Sequence, residues 1–275
     1  MAGQDPQLAH QARTLLVRLD RQGLLANPAD ERDMPEVVGR YHMLRRLGSG
    51  GMGLVYEAQD RDHDRRVAVK LIRPDMLPFA KTRQRFENEI QALAKMQHAG
   101  IVHVFQSGEE NGLRYYAMEL VPGESLQQIL WRLRGRNPAE LQGNDLFASP
   151  FSRLDAESTE RSVLCAASWV DACVGIVRDT AQALAHAHAH GILHRDVKPG
   201  NVMLSADGRP RLLDFGLARA ADTQTMTRTG AAIGSLPYMA PEQVRGSRDA
   251  IDERTDVYAL GVVLYELLTL QQPFL

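Results

Sequence analysis

The feature that most constrains this 275-residue chain is a change of texture at Pro122-Gly123. Before it, short β-like runs separated by glycine and charged turns dominate: Tyr41 to Leu47, Gly53 to Ala58, Arg66 to Ile72, Ile101 to Ser107 and Leu113 to Leu120. In the third run Val67, Val69 and Leu71 share one face, while Ala68 and Lys70 take the other. One helix interrupts these strands, Thr82 to Met96, with Phe86, Ile90, Leu93 and Ala94 at helical spacing. After the break helices take over: Ser125 to Leu133, Trp169 to His190, and a last one ending at Leu270. A small sheet with one helix, joined to a larger helical part, is an α+β arrangement of two lobes.

Two stretches stand outside this plan. Residues 1–40 form an amino-terminal extension, with Leu8, Ala12, Leu15, Leu16 and Leu19 on one helical face and a polar linker at Asn27 to Asp33. Residues 135–168, with Pro138, Pro150 and several serines, read as a surface insertion. The domain plan is therefore 1–40, a first lobe at 41–122 and a second at 123–275.

Composition excludes several classes. The 32 Lys and Arg nearly balance 34 Asp and Glu, with no basic stripe to track phosphates, so nucleic acid is not expected as a partner. The strongly apolar stretch Val257 to Leu270 is too short to span a bilayer and contains Glu266. The amino terminus is polar where a secretion signal would be apolar. Cys165 and Cys173 are too few for a disulfide framework. A cytoplasmic location follows as the default, and a membrane anchor beyond residue 275 is compatible with it.

Three motifs carry chemistry. Gly48-Ser49-Gly50-Gly51-Met52-Gly53 is a GxGxxG run that chance alone would supply in roughly one such chain in seven. A dinucleotide fold needs a helix after these glycines, but Leu54, Val55 and Tyr56 continue as a strand, which makes a hairpin lid able to close over phosphates. Next comes Lys70 within Val67-Ala68-Val69-Lys70, at a distance from the lid that lets it reach phosphate oxygens. Of the two helix carboxylates that could hold it, Glu87 and Glu89, the second flanks the buried face toward the strand. The most specific run is His194-Arg195-Asp196-Val197-Lys198-Pro199-Gly200-Asn201, whose five fixed residues should arise by chance in about one chain in ten thousand. Asp214-Phe215-Gly216 and Ala240-Pro241-Glu242 follow.

In this order the motifs resemble the eukaryotic-type protein kinases in their bacterial serine/threonine branch, from about Tyr41 onward. The resemblance implies a bilobal fold whose second lobe lacks its last helices, as in a fragment or an early-ending chain. It also implies transfer of the γ-phosphate of ATP to Ser or Thr hydroxyls of protein substrates, with Mg²⁺, or Mn²⁺ in its place. Asp196 would orient the substrate hydroxyl, Lys198 would screen the moving phosphate, Lys70 and Glu89 would form an ion pair, and Asn201 and Asp214 would hold metal. Leu47, Val55, Ala68 and Met203 would sandwich adenine, with Met118 behind it and backbone groups of Glu119 to Val121 at the hinge. Gly48, Ser49, Gly50, Gly51, Met52 and Gly53 would cover the phosphates.

Regulation is implied as well. Arg195 would pair with a phosphorylated loop, for which Thr227 and Thr229 are the favoured autophosphorylation sites, in a homodimer if transfer is in trans. Ser235 stands where the family has Thr, and its hydroxyl could still bond Asp196 or Lys198. The rival reading is a nucleotide-binding pseudokinase or an inactive truncated scaffold.

Two further expectations can be checked. The final helix carries Val257, Leu260, Val263, Leu264, Leu267 and Leu268, more than one neighbour would bury, so exposed apolar surface is expected. His186, His188 and His190 lack a third ligand and read as packing or surface groups, not a zinc site.

Overall fold

The computed structural model describes residues 34–50, 53–74, 77, 79–147, 159–215 and 235–274. The amphipathic stretch near the amino terminus, Gly51, Met52, Thr227 and Thr229 lie outside the described residues. Strands β1 (Val37–Val38), β2 (Tyr41–Gly50), β3 (Gly53–Asp60), β4 (Arg65–Ile72), β5 (Val104–Glu110) and β6 (Leu113–Glu119) form one antiparallel sheet, in the order β1-β2-β3-β4-β6-β5.

The alternation read in β4 is realised on both faces. Val67, Val69 and Leu71 pack with Tyr41, Met43, Tyr56, Ala58, Tyr115 and Ala117 in a core confined to the first lobe. Ala68 and Ile72 face the other way and, with Tyr116 and Met118, join the main core that continues into the second lobe. Successive residues of a strand point to opposite faces, so one strand serves both cores. Helix α1 (Ala80–Lys95) covers the second face by burying Phe86, Ile90 and Leu93.

The second lobe opens with the short strand β7 (Gly123–Ser125) and α2 (Leu126–Leu133). A capping box starts α2: Ser125 Oγ accepts from Gln128 N at 3.2 Å, and Ser125 N donates to Gln128 Oε1 at 2.8 Å. Helix α3 (Thr159–Ala166) precedes the long α4 (Trp169–Ala189), whose N-cap Ser168 accepts from Asp171 N at 3.2 Å. Strands β8 (Val202–Ser205) and β9 (Pro210–Leu212) pair with β7 in a small second sheet. The short α5 (Pro241–Val244) and then α6 (Glu253–Thr269) close the described structure.

Two sequence expectations change. The stretch 135–168 is not simply a surface excursion, because its turns Pro138–Glu140 and Gly143–Phe147 deliver Leu141, Leu146 and Phe147 to the core. Arg132 pins that stretch by donating to the carbonyls of Asp145 (2.9 Å) and Leu146 (3.0 Å) and to Glu124 (3.1 Å), and Arg136 pairs with Asp145 at 2.6 Å. Three apolar anchors in irregular backbone have no period, which is why pattern reading passes over them.

The apolar face expected to be exposed on α6 is mostly covered. Leu260, Val263 and Leu267 are buried, Leu264 and Leu268 are partly so, and Val257 alone of that set is exposed, at 62%. Helix α4 lies along one side, where Trp169 Nε1 donates to Leu267 O at 3.0 Å. The turn Leu236–Tyr238 covers another side, with Tyr238 Oη donating to Glu266 at 2.5 Å. Two neighbours on different sides bury more of the helix than the single one supposed.

Candidate active site

The segment after α4 is held in place mainly through its backbone. Asp256, in the first turn of α6 and 1% exposed, accepts from His194 N at 2.8 Å and from Arg195 N at 2.7 Å. The same carboxylate lies 2.8 Å from His188 Nε2 on α4. Gln243 Nε2 adds a bond to Arg195 O at 2.8 Å, and His194 Nε2 lies 2.9 Å from Leu213 O. These contacts fix the turn at Arg195, whose φ of 62° is in the left-handed region that a non-glycine residue adopts only when its surroundings demand it. His194 is fully buried, and burial pushes its pKa below the usual imidazole range despite Asp256 and Asp196 nearby.

From this platform three side chains and a hydroxyl converge. Asp196 Oδ2 lies 2.7 Å from Lys198 Nζ and 3.1 Å from Asn201 Nδ2, which also donates to Asp196 O at 2.8 Å. Lys198 Nζ donates onward to Ser235 Oγ at 2.9 Å. The substitution of Ser for Thr at 235 therefore keeps the hydroxyl bonded. Asp196 is 8% exposed, and its carboxylate lies against the Lys198 ammonium and the Asn201 amide.

The other half of the constellation is paired differently from the sequence reading. Lys70, 4% exposed on β4, lies 2.6 Å from Asp214 Oδ2 and not beside Glu89. Glu89 on α1 instead sits 3.5 Å from Arg195 Nη1, while Glu87 is bonded to Arg114. The physical reason is where the carboxylates lie. Asp214 comes to the buried ammonium on the inward face of the sheet, whereas Glu89 on α1 is half-buried and lies against the Arg195 side chain. Burial raises the Glu89 pKa to about 7 against the opposing pull of Arg195 and Arg85. Burial would likewise raise Asp214, but the Lys70 ammonium and the Tyr116 hydroxyl, 2.6 Å from Oδ1, outweigh it and hold the carboxyl below its usual range. Asp214 also has positive φ, at 51°, and Phe215 beside it is buried with its ring 4.7 Å from that of His194.

The glycine run forms the expected hairpin, with Gly48 opposite Val55, Ser49 opposite Leu54 and Gly50 opposite Gly53. Gly53 has no room for a side chain, since a Cβ there would sit 1.8 Å from the Leu71 carbonyl oxygen. At Gly48 a Cβ would meet nothing within 4 Å, so this backbone borders open space of the kind a phosphate chain fills. Behind the hairpin, Ala68 pairs with Met118 across β4 and β6, both are buried, and Val55 and Val121 pack on the same core. Leu47, at the bulge before Gly48, is 38% exposed, Met203 is half-buried on β8, and Glu119 N donates to His103 O at 2.9 Å.

Metal donors of the implied kind are in place. Asp214 offers carboxylate oxygens, and because the Asn201 amide nitrogen is committed to Asp196, its Oδ1 is the atom left to face a cation. Carboxylate and amide oxygens are the hard donors that Mg²⁺ and Mn²⁺ take. His186 stacks between His98 (4.9 Å) and His190 (4.6 Å), and no group of three ligating side chains is arranged for a metal among the described residues.

Sequence reasoning missed Asp256, Tyr116 and the role of His188. Nothing local marks Asp256, which looks like any acidic residue in a helix's first turn. Tyr116 looks like one more apolar strand residue.

Comparison with known proteins agrees with this geometry. The chain is 34% identical over 238 residues to the serine/threonine-protein kinase PrkC of Bacillus subtilis, covering 86% of this chain and 32% of that protein. It is 38% identical over 246 residues to the serine/threonine-protein kinase PknB of Mycobacterium leprae, covering 88% and 34%. The chain thus spans about a third of the length of these curated relatives. Its fold is similar to the crystal structure of the PknI kinase domain of Mycobacterium tuberculosis, with a TM-score of 0.62 and 29% identity, covering 87% of this chain and 79% of that one. The family model of the protein kinase domain matches residues 41–275, and the chain belongs to that family.

Proposed function

We propose that this chain is the catalytic part of an ATP-dependent serine/threonine protein kinase. The observation that carries the reading is the network in which Asp196 is held by Lys198 and Asn201, with Lys198 shared by Ser235. The relatives' names support it.

In this reading the substrate hydroxyl donates a hydrogen bond to Asp196, which turns the oxygen in line with the γ-phosphorus. The oxygen–phosphorus bond forms as the bond to the β–γ bridging oxygen breaks; ADP leaves, and the hydroxyl proton passes to Asp196. Lys198 screens the equatorial oxygens, and Lys70 takes phosphate oxygens from the strand side. Asn201 and Asp214 would hold Mg²⁺, which supplies charge neutralisation on the β- and γ-phosphates when bound. Gly48 to Gly53 close over the phosphates, while Ala68, Val55, Met118, Leu47 and Met203 bound the base.

The proposal includes autophosphorylation at Thr227 and Thr229, read out through Arg195, with two copies meeting for transfer in trans. Among the described residues no helix is long and apolar enough to cross a membrane.

The test is transfer of radiolabelled phosphate from ATP with Mg²⁺ to a Ser/Thr-containing protein, with mass spectrometry of residues 217–240. Asp196→Asn should abolish labelling. Labelling unchanged in that variant overturns the role given to Asp196, and labelling absent from the parent chain while nucleotide still binds overturns the reading in favour of a pseudokinase.

A further inference from the structure

Asp214 is engaged on both oxygens by the chain's own donors. Lys70 Nζ lies 2.6 Å from Oδ2, and Tyr116 Oη donates to Oδ1 at 2.6 Å. The two donors come from one place, because Lys70 and Tyr116 are direct partners in the β4–β6 ladder and project from the same face toward Asp214. The Tyr116 side chain is deeply buried, its ring 6.4 Å from that of Phe86 on α1. It is fixed by packing at the ring and by a charge-assisted bond at the hydroxyl.

The two donors differ in what can remove them. An ammonium beside phosphate oxygens has an alternative anionic partner and can give up Oδ2 when nucleotide arrives. A phenol in an apolar pocket has no such exchange, so its bond to Oδ1 persists until something displaces it. A small hard cation takes near-ideal geometry around its oxygen ligands, and a hydrogen bond of this kind both occupies one lone pair of Oδ1 and sets the plane of the carboxylate.

We propose that Tyr116 is an internal competitor for the Asp214 carboxylate, a positioning residue whose hydroxyl lowers the affinity of this site for its divalent cation. The proposal rests on the kinase reading, in that it takes Asp214 as a metal ligand. It also ties cation binding to α1, since Phe86, against the Tyr116 ring, lies three residues before Glu89 on the same helix. Movement of α1 that repositions Glu89 would shift the ring as well.

The experiment is titration of the full 275-residue chain with Mn²⁺, free and bound ion being read directly by electron paramagnetic resonance, with a non-hydrolysable ATP analogue present. Tyr116→Phe removes the hydroxyl and keeps the ring, and it should bind Mn²⁺ about tenfold more tightly, the size expected for a hydrogen bond to a charged group. Tyr116→Met fills similar volume without a hydroxyl and should move in the same direction. In an Asp214→Asn background Tyr116→Phe should change nothing, because the hydroxyl acts through that carboxylate. Equal or weaker Mn²⁺ binding by both folded variants overturns the proposal and leaves the kinase reading standing. Absence of Mn²⁺ binding in parent and variants alike overturns both. Failure of both variants to fold would make Tyr116 a packing residue and would end the proposal too.

Discussion

The two halves of the active site are built on different principles. The Asp196 half hangs from backbone bonds: Asp256 accepts two consecutive main-chain N–H groups, those of His194 and Arg195, and Gln243 donates to the Arg195 carbonyl that follows them. The Asp214 carboxylate is held by side chains, Lys70 on one oxygen and Tyr116 on the other, with Glu89 turned away to Arg195. Backbone anchoring has no rotamers to exchange, so it defines one geometry. An ammonium on a flexible stem can exchange one anionic partner for another, whereas the Tyr116 phenol keeps its bond until it is displaced. In the proposed reading, the loop that would take the substrate hydroxyl is held by its backbone, while the Lys70 contact to Asp214 is the one that would re-pair when nucleotide arrives.

The severest challenge to that contrast is Asp256→Ala. It leaves two buried N–H groups and His188 unsatisfied, and about 3 to 5 kcal/mol of stability should be lost in urea unfolding. A loss under 1 kcal/mol would mean that the Arg195 turn holds itself, and the distinction between the halves would collapse. Gly53→Ala comes next, since its Cβ falls on the Leu71 carbonyl at 1.8 Å and the hairpin must shift. A thermal scan should show a cost of about 2 to 3 kcal/mol.

Glu89 gives a smaller and pH-dependent effect. Its folded pKa of about 7 is above the ordinary 4.5, so the folded state favours the protonated form. Stability from this group is complete below about pH 4.5, falls as pH rises toward 7 and stays lower above it. Because the side chain is about a third exposed, at 31%, the fall is discounted to about 1 kcal/mol. Glu89→Gln should flatten that part of the profile and be the more stable protein at pH 8. A parent profile with no slope between pH 4.5 and 7 would place Glu89 in a firm ion pair and erase its freedom to re-pair. Smallest is Gly48→Ala, where the Cβ meets open space. Stability should change by less than about 0.5 kcal/mol, while ATP affinity, measured by calorimetry, should fall because the methyl group enters the space the phosphates would fill. Unchanged affinity would remove Gly48 from the nucleotide side.

Much of the fold was legible. Helix α1 begins at Ala80 where the spacing suggested Thr82, and α4 covers Trp169–Ala189 against an expected end at His190. Periodicity records which face is buried, and end residues are the least constrained by it. The face assignment in β4 stands on both sides of the sheet. Leu141 and Leu146 were not legible, because irregular backbone buries residues at no fixed interval. The coverage of α6 was misjudged because the number of neighbours a helix has is a property of the whole packing.

Residue types and their spacing by themselves determined the family, the order of the lobes and which side chains populate the site, because Asp196, Lys198 and Asn201 lie within six residues on one loop and local geometry suffices to bring them together. Only the tertiary structure decided the partners of Lys70, Glu89 and Asp214, and it alone brought in Asp256 and Tyr116. Those pairings span from 46 residues (Lys70 to Tyr116) to 144 (Lys70 to Asp214) along the chain. A buried charge takes whichever opposite charge or donor the packing places within reach, and motif order does not contain that distance.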